Sequence, residues 1–192
     1  MKFKEPPIDP AYNYPLYYPY RHLIQTGDLM EWSTDHNSVA WLIQKKTGQD
    51  VNHSAMFVRS VMPGHVDRIF LLEAVAEGVV SSLFTNRLES HHGKVWWIPL
   101  NDQNVTRQQR IEMLYWSMTQ IGLKKGYDFE DLLNQLTGSV FLDYNRFFCS
   151  EYYHAALIEG GIVPPNSASK AKRPGEFMDF GVHLPRVLVY EG

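Results

Sequence analysis

The sequence has 192 residues, with 44% apolar and 14% aromatic side chains, which is enough for one sizeable core and short for two, so a single domain spanning residues 1–192 is expected. The net charge is −3 with histidine neutral, and Lys and Arg are scattered rather than gathered into a stripe, so the electrostatic footprint of a nucleic-acid binder is missing. Met1 to Ile8 hold no apolar signal-type core, and no later window has the roughly 18 uninterrupted apolar residues of a membrane span; the expectation is a soluble, cytoplasmic protein without a transmembrane segment.

The chain opens on an arm, residues 1–20, in which Pro6, Pro7, Pro10, Pro15 and Pro19 are interleaved with Tyr12, Tyr14, Tyr17, Tyr18 and Tyr20. Proline at that density predicts an extended arm. The tyrosines predict that it packs on the domain surface, with partner docking or substrate lining as the other reading. His22 to Trp32 reads as a short strand interrupted by a tight Gly27-Asp28 turn. Val39, Ala40, Leu42 and Ile43 have helical spacing after the cap residues of Ser33 to Asn37, and Gly48 stops the pattern. Asn52 to Val58 alternates, with His53, Ala55 and Phe57 on one face and Ser54, Met56 and Val58 on the other.

Pro63-Gly64 marks a hairpin connection to the run Arg68 to Val75, which is apolar from Ile69 onward except for Glu73. Val79 to Leu83 and Lys94 to Leu100 are two more strand candidates, with a polar turn or short helix around Asn86 to Gly93. Thr106 with Gln109 three residues later matches a capping box, and Ile111, Leu114, Tyr115, Met118 and Ile121 give the predicted buried stripe of the helix that follows. Phe129 to Leu136 reads as a short helix. Phe147 to Glu159 reads as another, closed by Gly160-Gly161, and Leu184 to Tyr190 as a final strand. A run of strands followed by a run of helices predicts an α+β fold, an antiparallel sheet covered by helices.

The one cysteine, Cys149, cannot form an internal disulfide or a cysteine-based zinc cluster. Two explanations remain for it: an inert buried thiol or a reactive one. Its place near a predicted helix start favours the thiolate and supplies unpaired N–H groups for an oxyanion. A thiolate nucleophile needs a base, and of the eight histidines His53 is the best placed, in a strand of small and apolar neighbours; a hydrogen-bonded core histidine is the competing reading. Glu73 sits on the strand predicted to pair with that of His53, where it would orient the imidazole. A structural salt bridge to Arg68 or Arg59 is its other reading, and Glu77 is the alternative carboxylate. The sequence has no G-x-S-x-G elbow, no H-E-x-x-H and no helical histidine pair at ligand spacing, so neither a serine hydrolase nor a zincin is indicated and no metal or cofactor is expected.

Taken in order, Gly27-Asp28-Leu29, Asn52-His53-Ser54-Ala55-Met56, Leu72-Glu73-Ala74 with Gly78-Val79, Tyr127-Asp128 and Phe148-Cys149-Ser150-Glu151-Tyr152 resemble the permuted papain-like enzymes. The group they are most similar to is the YiiX/YaeF-like amidases of peptidase family C92, relatives of the NlpC/P60 proteins. The resemblance runs from about Ile24 to Gly160. It implies a circularly permuted papain-like fold in which a helix presents Cys149 as nucleophile against a sheet carrying His53 as general base, with Glu73 orienting the histidine. Asp28, Tyr127 and Ser150 are the candidates for lining the substrate site. The expected activity is cysteine-dependent hydrolysis of a small peptide or cell-wall-like amide through an acyl-enzyme. Lipid acyl transfer or thioester hydrolysis by the same fold, and a non-catalytic module gripping a peptide or lipid, are the alternatives.

Overall fold

The computed structural model describes residues 10–34, 45, 48–61, 67–75, 78–122, 149–169 and 172–192. Among them, β1 (Leu29–Trp32), β2 (His53–Ser60), β3 (Arg68–Val75), β4 (Gly78–Leu83), β5 (Lys94–Ile98) and β6 (Val187–Glu191) form one six-stranded sheet in the order β4-β3-β2-β1-β5-β6, antiparallel throughout. The described α-helices are α1 (Phe84–Glu89), α2 (Arg107–Thr119) and α3 (Cys149–Glu159). This is the α+β arrangement that the segregation of strand and helix patterns predicts. The Pro63-Gly64 turn, the helix over Phe129 to Leu136, and the earlier one over residues 39–47 apart from Lys45 lie outside the described residues. No described helix is long and apolar enough to cross a membrane.

Both faces of the central strands are covered. On one face Leu29, Met56, Leu72, Ala74 and Ile98 pack with Met113 of α2 and with Tyr152, Ala155 and Ala156 of α3. On the other, Met30, Trp32, Ala55, Phe57, Leu71 and Trp97 pack with Phe84 and Leu88 of α1 and with Tyr17 of the arm. Successive residues of β2 therefore enter opposite cores, as strand alternation requires.

Three local expectations are corrected. Over its described residues, 10–20, the arm is not extended: Pro10–Asn13 and Tyr18–Tyr20 are short 3-10 helices, with proline at the first turn, where its fixed φ and missing N–H are tolerated. The arm does pack, since Tyr17 is 1% exposed and meets Phe84 edge-on at 4.9 Å. The segment before Gly27-Asp28 is a series of turns, and the strand begins only at Leu29.

The third correction concerns α2. The Thr106–Gln109 capping box is present, but the buried line runs through Arg110, Met113, Ser117 and Gln120 while Tyr115 and Met118 are exposed. The facing stretch of α3 is small, Ala155-Ala156, so the helices approach closely and short or aliphatic-stemmed residues fill the seam. The approach is close at Gly160, where a methyl group would lie 2.9 Å from the Gln109 carbonyl oxygen and 3.0 Å from the Met113 Cβ.

Candidate active site

The Trp32↔His53 pair ends the β1–β2 ladder, so His53, as the first residue of β2, stands at one end of the sheet. Met56 lies opposite Leu72; continuing that register sets Ala55 opposite Glu73, with His53 two residues along on the same face. The diagonal is short enough for the side chains to meet, and His53 Nε2 lies 3.0 Å from Glu73 Oε2. Cys149, first residue of α3 and 6% exposed, lies close enough to His53 to act on the charge of its ring. Glu73 engages Nε2, which leaves Nδ1 as the ring nitrogen not bonded to that carboxylate. Thus Cys149, His53 and Glu73, named from sequence, come together.

The electrostatics of this cluster favour an imidazolium. Burial works against the charged ring, but the nearby charge of Cys149, followed by the hydrogen bond and charge of Glu73, outweighs it and lifts His53 to about 9. Burial likewise raises the Glu73 carboxyl, and His53, Arg87 and Ser82 together bring it below its ordinary value.

Several residues of the cluster are missing from the sequence reading. Ser82 Oγ donates to Glu73 Oε1 at 3.1 Å from β4, and Arg87 Nη2 of α1 donates to Oε2 at 3.2 Å. Arg87 Nε also lies 2.9 Å from Oε1, within ion-pair range although its N–H is not aimed at that oxygen. Trp32 stacks on the His53 ring at 4.6 Å and 19°, and the Arg87 guanidinium sits 4.7 Å from the centre of the same indole. Glu73 therefore forms a salt bridge as well as its bond to His53, but to Arg87. Arg59 instead pairs with Asp67 and donates to the carbonyls of Arg21, His22 and Ile24.

The substrate-lining candidates fare differently. Asp28 does not belong to the cluster: it immediately precedes β1, four residues and roughly 13 Å from Trp32 at the strand's other end. Its carboxylate is 1% exposed and accepts from Gln25 N, Trp97 Nε1, Leu100 N and Arg110 Nη1. It is the centre of a buried structural knot, in which Arg110 also reaches the Thr26 and Leu100 carbonyls and Asp102. Ser150 is buried in the first turn of α3, where its side chain faces the protein rather than solvent. Tyr127 lies outside the described residues, as does Glu77.

On the opposite face of β1, Glu31 pairs with Ser54 and Trp96, is 2% exposed, and accepts the Gly175 N–H at 2.7 Å. Burial raises this carboxyl to about 7. His154 and His183 are structural: burial lowers each to about 4, and they bond Ser167 and Tyr153 respectively.

No family model and no curated protein matches this sequence. The fold is similar to the crystal structure of the metalloprotein YiiX from Escherichia coli O157:H7, with a TM-score of 0.62 and 17% identity over 88% of this chain and 98% of that one. At that identity the likeness is one of fold, and the chain has a YiiX-like α+β architecture. The cluster around His53 does not fit a metal centre. Both Glu73 oxygens are occupied by His53, Ser82 and Arg87, a cationic guanidinium stands beside them, and no described group of three or more His, Cys, Asp or Glu side chains is arranged to hold an ion.

Proposed function

We propose that this chain is a cysteine hydrolase of the amidase or peptidase type, built on a permuted papain-like plan, with Cys149 as nucleophile, His53 as general acid–base and Glu73 as the group that orients His53. The observation that carries the reading is the chain of contacts from the Cys149 side chain through His53 to Glu73, starting at the first residue of α3. In this scheme the Cys149 sulfur, having given its proton to His53 Nδ1, attacks the carbonyl carbon of an amide or ester. The oxyanion lies against backbone N–H groups of the first turn of α3. His53 returns the proton to the leaving nitrogen or oxygen as the C–N or C–O bond breaks, leaving an acyl-enzyme. It then takes a proton from water, whose oxygen attacks the thioester and releases the acid. A small peptide or cell-wall-like amide is the proposed substrate.

The test is alkylation of Cys149 by iodoacetamide between pH 5 and 9, on the native protein and on His53→Ala. An isolated cysteine is only about 3% thiolate at pH 7. Allowing for the lower nucleophilicity of a stabilised thiolate, removal of His53 is expected to slow alkylation at pH 6–7 by roughly tenfold. Equal rates for the two proteins across that range would refute the pairing. Lipid acyl transfer is the second reading, favoured by the exposed Tyr12, Leu16, Tyr18 and Leu23 of the arm and the turn after it. Product analysis with peptide and acyl-lipid substrates separates the two.

A further inference from the structure

Glu73 serves two cations. Its Oε2 accepts from both His53 Nε2 at 3.0 Å and Arg87 Nη2 at 3.2 Å, while Oε1 takes Ser82 Oγ and lies 2.9 Å from Arg87 Nε. The carboxylate is 1% exposed, so water does not supply a further partner. Arg87 is held in place from two sides. Its neighbours on α1, Phe84 and Leu88, are fully buried against the sheet, and its guanidinium rests on the Trp32 indole that also stacks on His53. Among the described residues, the charged and titratable groups around His53 are Cys149 from α3, Glu73 from β3, Arg87 from α1 and His91 from the segment before β5, while β1 contributes the neutral Trp32.

We propose that Arg87 is a positioning residue for the reactive pair: by engaging both oxygens of Glu73 it holds that carboxylate against His53 and keeps part of its negative charge from the imidazolium. This rests on the reading of His53 as the acid–base partner of Cys149. Thiolate, imidazolium, carboxylate and guanidinium then alternate in sign along one connected line, and the group of four is neutral. Without Arg87 the full charge of Glu73 falls on His53. The imidazolium is overstabilised and becomes a poorer proton donor to the leaving group. A residue that only fastened α1 to the sheet would change stability when replaced and leave the histidine's titration where it was.

The experiment follows the His53 ring by NMR in protein carrying isotope-labelled histidine, for the native chain, Arg87→Met and Arg87→Lys. The Arg87 side chain is 35% exposed, so solvent weakens its field. Even so, the midpoint in Arg87→Met is expected to rise by roughly half to one pH unit, about three- to tenfold tighter proton binding. Arg87→Lys, which keeps the charge, is expected to stay close to native. An unchanged or lowered midpoint in Arg87→Met would overturn the proposal, and Arg87→Gln carries the same expectation if the methionine variant does not fold. The measurement needs no turnover. If alkylation of Cys149 proves independent of His53, the hydrolase reading falls, while the His53 titration still decides whether Arg87 tunes it.

Discussion

Glu31→Gln turns a buried carboxyl into a measurable pH effect. In the unfolded chain this side chain titrates near its ordinary 4.5, and in the fold burial raises it to about 7. A carboxyl whose folded value is the higher one gives stability that is complete below 4.5 and is lost as the pH rises through about 7, because the folded state must then ionise a desolvated group. The gap, at about 1.4 kcal/mol per pH unit, is worth about 3 kcal/mol between acid and mildly alkaline solution. Glutamine keeps a carbonyl oxygen for the Gly175 N–H but cannot ionise. Urea unfolding followed by tryptophan fluorescence should therefore find the two proteins within about 1 kcal/mol at pH 5 and the variant ahead by about 3 kcal/mol at pH 8.5. The same gap at both pH values would refute the reasoning, since it would mean that Glu31 does not change its charge over that interval.

Two further outcomes follow from the same kind of argument. Because His53 holds its proton up to about 9, kcat/KM for the proposed hydrolysis should fall on the alkaline side with a midpoint near that value, as the general acid is lost; a profile flat to pH 10 would assign proton donation to another group. Arg110→Met leaves the Asp28 carboxylate buried beside no cation and should cost about 3–5 kcal/mol in urea unfolding, with Asp28→Asn in the same chain recovering much of it. A loss under about 1 kcal/mol would show that the knot is held by its neutral donors.

What could be read from the sequence is what depends on local period. Alternation placed His53 on one face of its strand, a lone carboxylate in an apolar run singled out Glu73 on the neighbouring strand, and a helix start placed Cys149. None of these signals reports what lies across the fold. Arg87 gives no sign in Thr85-Asn86-Arg87-Leu88 of pairing with Glu73, because the contact depends on how a helix of six residues seats on the sheet. Asp28 was misplaced for the same reason: its donors Trp97 and Arg110 come from β5 and α2, far along the chain. In α2 the apolar residues Tyr115 and Met118 suggested the wrong buried line. The seam against Ala155-Ala156 selects small and long-stemmed side chains rather than the most hydrophobic ones.

The close approach at Gly160 gives α3 the mechanics of a cantilever. Its tail is clamped against α2 with no room for a methyl group, and its head, eleven residues or roughly 16 Å away, carries the sulfur. A small tilt forced at the clamp is multiplied along that lever, so the aim of Cys149 at His53 is set partly by a backbone contact a helix-length away. A lesion there would misalign the sulfur without touching any residue of the site.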